Sequence, residues 1–161
     1  ETSYHHGEAS LHATIVNMAQ DFVGSNNLPL LYPGGQFGTR LEGGKDAASP
    51  RYIYTRQQRH ARLLFPAADD PLLVAREEDG RRVEPRWYAP VLPLVLVNGA
   101  EGIGTGWSTR VPAHHPLDLV DNVERRIRGE AMRPTRGTLS PNPPRAAPHG
   151  LLERNCDRSI T

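Results

Sequence analysis

The chain has 161 residues, 37% of them apolar, with 19 basic and 18 acidic side chains and a formal net charge of +1. That length suffices for one domain with a real core and part of a second, while the near-balance of charge says little about a partner. The single Cys156 excludes an internal disulfide and makes a reducing, intracellular compartment the default; no stretch approaches the roughly 20 apolar residues of a membrane span, and no basic-then-apolar signal pattern opens the chain.

The first predicted element is a helix from Glu8 to Phe22, where Leu11, Ile15, Met18, Ala19 and Phe22 recur at intervals of three and four and make one apolar face. His5 and His6 stand just ahead of it, where free backbone N–H groups and the positive end of the helix dipole favour anions. Residues 24 to 50 are rich in Gly, Asn and Pro and read as a long ordered loop. Tyr52 to Thr55 is short and β-like, and Arg56 to Phe65 reads as helical with Ala61, Leu64 and Phe65 facing inward. Asp79-Gly80 between Leu72–Ala75 and Arg81–Val83 is a hairpin signal.

Pro90 to Val97 is expected to be a buried strand or an extended approach to an Asn98-Gly99 turn. A second amphipathic helix is expected from Pro116 to Arg128, with Leu117, Val120, Val123 and Ile127 on one face. Helices, a hairpin and a recognition helix describe an α+β domain of winged-helix type. From Ala131 to Gly150 the chain carries Pro134, Pro141, Pro143, Pro144 and Pro148 with few large apolar residues, so loop or disorder is expected there.

Arg51-Tyr52 is the pair with the most chemistry in it. A phenol with an unperturbed pKa of about 10 is a poor nucleophile at neutral pH, and an adjacent guanidinium favours the phenolate and can grip a phosphate through its planar fork of donors. Gly38, Gly43 and Gly44 precede the pair and let backbone approach a bulky anion. Between Gly38 and Leu64, Arg40, Lys45, Arg51, Arg56, Arg59 and Arg62 face only Glu42 and Asp46, a candidate phosphate-facing surface whose alternative is a solvated charged face. Together these suggest tyrosyl attack on a nucleic-acid phosphodiester, although an Arg-Tyr pair by itself is ordinary surface or half-buried strand.

The run Gly38-Thr39-Arg40-Leu41-Glu42-Gly43-Gly44-Lys45-Asp46-Ala47-Ala48-Ser49-Pro50-Arg51-Tyr52 resembles the active-site segment of eukaryotic type IIA DNA topoisomerases. Tyr4-His5-His6-Gly7-Glu8-Ala9-Ser10-Leu11, Asp21-Phe22-Val23-Gly24-Ser25-Asn26-Asn27, and Asn98-Gly99-Ala100-Glu101-Gly102-Ile103-Gly104-Thr105-Gly106-Trp107 match the same family in the same order. The resemblance covers residues 3 to 130; the bacterial gyrase protein is a more distant relative. It implies a winged-helix DNA-cleavage domain over 1–107, the start of a tower domain over 108–130, and an irregular tail over 131–161 that departs from the family.

The resemblance implies roles as well. Tyr52 would form a 5′-phosphotyrosyl bond with DNA. Arg51 would bind the scissile phosphate and stabilise charge on its oxygens, and His6 would orient that phosphate, supported by His5. Ile103 would insert between base pairs and bend the duplex; on the heptapeptide alone, a tight turn tucking Ile103 inside is the alternative. Gln36 and Lys45 are candidates for contact with the DNA backbone, with solvated loop residues as their alternative, and Trp107 is read as packing.

Asp69-Asp70 and Glu77-Glu78-Asp79 read as turn and hairpin charge, so no metal ligand is assigned. The resemblance puts Mg²⁺ and ATP in the parent enzyme, both bound outside this segment, with double-stranded DNA as partner, a homodimeric parent, the nucleus as location and no membrane. The absence of Met at position 1 suggests that the chain is cut from something longer. A truncated or frame-shifted gene model, or a divergent insert, would account for the tail. A non-catalytic winged-helix DNA-binding remnant is the second reading.

Overall fold

The computed structural model describes residues 3–138. The expectation for 139–161, Cys156 included, lies outside them. Helix α1 runs Glu8–Ala19, and a 3₁₀ turn covers Pro50–Tyr52. Helix α2 is Ala61–Leu64, strands β1 and β2 are Ala75–Glu78 and Arg81–Pro85, and helix α3 is Leu94–Val97. Strands β3 and β4 are Ala100–Gly104 and Trp107–Val111, followed by helix α4 at Pro116–Ile127. The mixed α+β architecture expected of a winged-helix domain is present, with two separate antiparallel hairpins, β1–β2 and β3–β4.

Helix α1 stops three residues short of the predicted end. Gln20 leaves helical geometry (φ −62°, ψ 130°) and turns its side chain inward, where its Nε2 donates to the carbonyls of Phe37 at 2.9 Å and Gly44 at 3.2 Å. Asn26 then satisfies the helix end, its Nδ2 donating to the carbonyls of Asn17 at 2.6 Å and Gln20 at 2.9 Å.

The predicted helix from Arg56 shrinks to Ala61–Leu64, because the residues before it are used as an edge. Tyr54 and Gln57 bridge antiparallel to Gly34 and Leu31. Tyr32 N–H donates to Arg56 at 2.8 Å, and Gln58 N–H donates to Leu30 at 3.0 Å. The β-like reading of the segment after Tyr52 therefore holds at Tyr54. Ala61 and Leu64 are buried as expected, and Phe65 is half-buried with its ring edge-on to Tyr88.

The Asp79-Gly80 hairpin forms as read, with both residues at positive φ (50° and 72°), as a type I′ turn requires. The expected strand before Asn98 is instead helical over Leu94–Val97. Pro93 has its φ preset at −69° and its carbonyl accepts from Leu96 at 2.8 Å and Val97 at 3.1 Å, so the prolines start a helical turn where the apolar run alone suited either state. Sequence reading also missed the β3–β4 hairpin, because β3 carries Ala100, Glu101, Gly102 and Gly104 where strong β-formers would be sought.

Helix α4 matches its prediction to within one residue, but its buried face is rotated. Leu119 is buried and Val120 and Val123 half-buried, while Leu117 and Ile127 are exposed. The residues after α4 fold back along it. The Arg136 backbone and guanidinium donate three bonds to the Asp118 carboxylate at 2.7–3.0 Å, and Asn122 exchanges two with Arg133. The Arg136 side-chain bonds, and after them its backbone bond, hold the Asp118 carboxyl well below the usual carboxylate range.

Buried apolar side chains come singly or in pairs from α1 (Ala19), the long loop (Phe37), α2 (Ala61, Leu64), α3 (Val97) and α4 (Leu119). The long loop contributes Phe37 to these buried positions and is tied to the end of α1 through Gln20. Among the described residues no helix is long and apolar enough to cross a membrane.

Candidate nucleic-acid cleavage site

The loop before Tyr52 is closed on itself. Ala48 N–H donates to Gln36 at 2.9 Å, Gly44 N–H to Thr39 at 2.9 Å, and Lys45 N–H to Glu42 at 3.2 Å. Thr39 donates to Asp46 from its backbone at 2.7 Å and from its hydroxyl at 2.8 Å. Those two bonds, the backbone one first, lower the Asp46 carboxyl below its ordinary value. Two glycines make the closure possible. Gly38 has φ +100°, and a Cβ there would lie 2.6 Å from the Gly44 carbonyl oxygen; at Gly44, with φ +83°, it would lie 2.4 Å from the Gln20 amide nitrogen.

The loop delivers the chain into the Pro50–Tyr52 turn, where Tyr52 N–H donates to the Ser49 carbonyl at 2.9 Å. The two residues after Tyr52 lie on a second glycine pair: a Cβ at Gly34 would be 2.6 Å from the Tyr54 ring, and one at Gly35 would be 2.8 Å from Ile53 Cγ2. With both sides held, Tyr52 itself stands out, 76% exposed. The Arg51 guanidinium lies 5.9 Å from the centre of its ring. The structure thus brings Arg51 and Tyr52 together with an accessible phenol, an arrangement open to a large anionic ligand.

The basic surface is narrower than the sequence suggested. Arg62 is paired with Asp70 at 2.8 Å, and Arg56 lies over the Tyr32 ring at 4.7 Å. Arg40, Lys45 and Arg59 are exposed and have no acidic partner among the described residues. Gln36 accepts the Ala48 bond that closes the loop and Lys45 ends the turn begun at Glu42 within it; both are exposed.

The histidines divide. His5 Nε2 is 2.8 Å from Glu78 on β1, which holds it against the β1–β2 hairpin. His6 is exposed with its ring edge-on to Tyr4 at 5.6 Å. Next to His5, Ser3 donates its backbone N–H and its hydroxyl to Glu84, at 3.0 and 2.8 Å, and Arg76 pairs with the same carboxylate at 2.8 Å. These contacts, the Ser3 backbone bond first, lower the Glu84 carboxyl from 4.5 to about 2.

A depressed carboxyl contributes its stability above the ordinary value and loses it as pH falls through the folded one. The tie between the N-terminal segment and the hairpin is therefore expected to hold down to pH 4.5 and to release between 4.5 and about 2. NMR signals of Ser3 and Tyr4 followed through an acid titration will check this, and release complete above pH 5 would contradict it. Of the residues in this tie, Glu78 is read from the sequence only as hairpin charge, and Glu84 and Arg76 go unmarked, because acidic and basic residues on a hairpin carry no signal of what they face.

Ile103 lies near the end of β3, opposite Ser108, and is 89% exposed. The tucked-in alternative is therefore not realised. Trp107, expected to pack, is 84% exposed at the same tip. Every residue from 100 to 110 is exposed, so the β3–β4 hairpin projects as an arm.

Residues 1–144 match the family model of the DNA gyrase/topoisomerase IV A-subunit. The chain is 59% identical over 133 residues to a DNA topoisomerase 2 of Arabidopsis thaliana, covering 83% of this chain and 9% of that protein. It is 61% identical over 128 residues to the human DNA topoisomerase 2-beta, covering 80% and 8%. A crystal structure of the Plasmodium falciparum topoisomerase II DNA-binding, cleavage and re-ligation domain superposes with a TM-score of 0.82 at 50% identity, over 85% of this chain and 19% of that one. The chain thus spans under a tenth of the length of these topoisomerase 2 relatives.

Proposed function

The chain belongs to the DNA gyrase/topoisomerase IV A-subunit family, and from that premise we propose that it is the tyrosine-bearing cleavage segment of an ATP-dependent type II DNA topoisomerase. The observation that carries the reading is the exposed Arg51–Tyr52 pair held out between two glycine-dependent closures. On it, the Tyr52 Oη attacks the phosphorus of a backbone phosphodiester. The phenolic proton leaves, the P–O3′ bond breaks, and the departing O3′ takes up a proton. One phosphate ester replaces another, so the reverse attack by the 3′-hydroxyl reseals the strand without an energy source. Arg51 binds the non-bridging oxygens on which charge builds, and His6 orients the same phosphate, with His5 fixed beside it by Glu78. Gln36 and Lys45 contact the flanking backbone.

Among the described residues no three His, Cys, Asp or Glu side chains gather into a group able to hold a metal ion. The reading assigns Mg²⁺ and ATP to other parts of a nuclear, homodimeric parent that passes one duplex through the break in another. It divides this chain into a cleavage domain at 1–107, the start of a tower at 108–130 and a tail at 131–161, with the β3–β4 arm carried across the first boundary. Exposed Leu63, Leu72, Val74, Trp87, Tyr88 and Val91 fit surfaces that the remainder of such a parent would cover.

The test is to supply the chain with nicked duplex DNA, Mg²⁺ and the acidic metal-binding domain of a relative, then denature with SDS. Covalent transfer to the protein of a label on the strand that begins at the new 5′ phosphate is expected. Salt-sensitive binding without any adduct would leave a DNA-binding remnant in place of the enzyme. Because Ile103 touches solvent almost entirely, Ile103→Ala is expected to leave the stability unchanged to within about 0.5 kcal/mol. The same variant is expected to bend a bound duplex less, measured by energy transfer between its labelled ends. Undiminished bending would remove Ile103 from the site.

A further inference from the structure

Among the described residues the β3–β4 arm pairs only with itself, and a two-stranded hairpin is marginal in water without other support. A side chain at its tip keeps a fixed position only if the root is fixed. The root is tightly built. Gly99 has φ +75°, and a Cβ there would lie 2.8 Å from the Val111 carbonyl oxygen and 3.2 Å from the Ala113 nitrogen, so the two legs almost touch. His114 N–H donates to the Leu96 carbonyl at 2.8 Å just below that crossing.

Two asparagines then tie this root to the segment that follows α1. Asn27 Nδ2 donates to the Val97 carbonyl at 2.6 Å on the incoming leg and to the His114 carbonyl at 3.0 Å on the outgoing leg, with Thr138 Oγ1 at 3.1 Å. Asn98 exchanges a pair of bonds with Leu28, its Oδ1 accepting from the backbone N–H at 2.9 Å and its Nδ2 donating to the carbonyl at 3.0 Å. The primary amide suits each position differently: Asn27 uses its two N–H donors to reach both legs, and Asn98 uses its donor and its acceptor together on one residue.

We propose that Asn27 and Asn98 are positioning residues for Ile103, clamping the legs of the β3–β4 hairpin to residues 27 and 28 so that the tip meets duplex DNA as a stiff lever. The proposal rests on the reading of Ile103 as the group that enters the duplex. Separating stacked base pairs costs free energy, and a hairpin free to pivot at its root yields before the DNA does. With both legs held, the resistance of the duplex is carried into the core at Val97, which is fully buried.

The experiment places Asn27→Ala and Asn98→Ala in a Trp87→Phe background, so that Trp107 is the single tryptophan and reports on the tip. Each variant is expected to depolarise Trp107 emission faster and further than the parent. Each should also lower the equilibrium constant for bending an end-labelled duplex by about tenfold, the upper end of the worth of one lost part-buried hydrogen bond, while binding to the straight duplex changes by less than about twofold. Asn27→Ala added to Ile103→Ala is expected to cost nothing more, because the clamp acts through Ile103.

Unchanged depolarisation in a folded variant overturns the clamp, as do bending losses that add in the double variant. A merely structural role would lower the melting temperature without this non-additivity. If Ile103→Ala bends DNA as well as the parent chain, the wedge reading itself falls, and the lever with it. Asn98→Ala keeps the question open to measurement if Asn27→Ala fails to fold.

Discussion

Replacing Tyr52 with phenylalanine is expected to abolish the covalent protein–DNA adduct while leaving the fold and DNA binding intact. The side chain is 76% exposed, and none of the hydrogen bonds that shape its turn uses the phenol: the turn is held by the Tyr52 N–H on Ser49 and the Ile53 N–H on Pro50. Removing Oη therefore deletes the proposed nucleophile and nothing structural. Loss of such a group costs on the order of 10⁴-fold or more, which puts the adduct below detection.

Arg51→Lys is the companion variant. It keeps the charge but loses the planar fork that matches two phosphate oxygens, and a drop of about 100-fold in adduct formation is expected. The measurement is the SDS-resistant complex seen by gel, alongside filter binding of the same duplex. Adduct surviving in Tyr52→Phe would assign the nucleophile to another residue; equal losses of adduct and binding would make Tyr52 a binding group.

Gly38→Ala is expected to be the most destabilising single-methyl change in the loop. Its φ of +100° is one that side chains rarely adopt, and the new Cβ would meet three backbone atoms of Gly44 at 2.6–2.9 Å, which no rotamer change relieves. Strain of this kind costs about 1–3 kcal/mol before the clash is counted, so a loss of about 3 kcal/mol and a fall in melting temperature on the order of 10 °C are expected.

Gly43→Ala is the internal control. It shares the left-handed conformation, at φ +58°, but has open space within 4 Å, so only the conformational term of about 1–2 kcal/mol applies. Thermal unfolding of the two variants side by side checks the argument. Equal losses would mean that the Gly38–Gly44 contact does not hold the loop. The consequence for function follows from the same contact: the Gly38–Gly44 approach, with Gln20 behind it, sets where the chain enters the Pro50–Tyr52 turn.

Much of this was legible in the residues. The start of α1, the span of α4, the Asp79-Gly80 hairpin and the inward Ala61 and Leu64 follow from local periodicity and turn chemistry, which act over a few residues. Family membership was legible too, in the four long motif blocks. What failed did so where distant groups decide. Helix α1 ends early because the Gln20 amide is claimed by carbonyls at Phe37 and Gly44. The 56–58 segment is extended because residues 30–34 offer it an edge. On α4 it is Leu119 and not Leu117 that is buried, on a helix that packs against α3, a neighbour the local pattern does not name.

The sequence by itself determined the chemistry that the chain carries: a phenol beside a guanidinium after a glycine loop, and an isoleucine framed by glycines. Residue type and order suffice for that, since reactivity belongs to side chains. Only the tertiary structure decided which of those groups reach a ligand. It left Tyr52 and Ile103 exposed, set His5 against Glu78, removed Arg62 from the basic surface through Asp70, and fastened the arm at Asn27 and Asn98. Exposure and pairing depend on what the chain brings near from far along its length, and no local pattern encodes those neighbours.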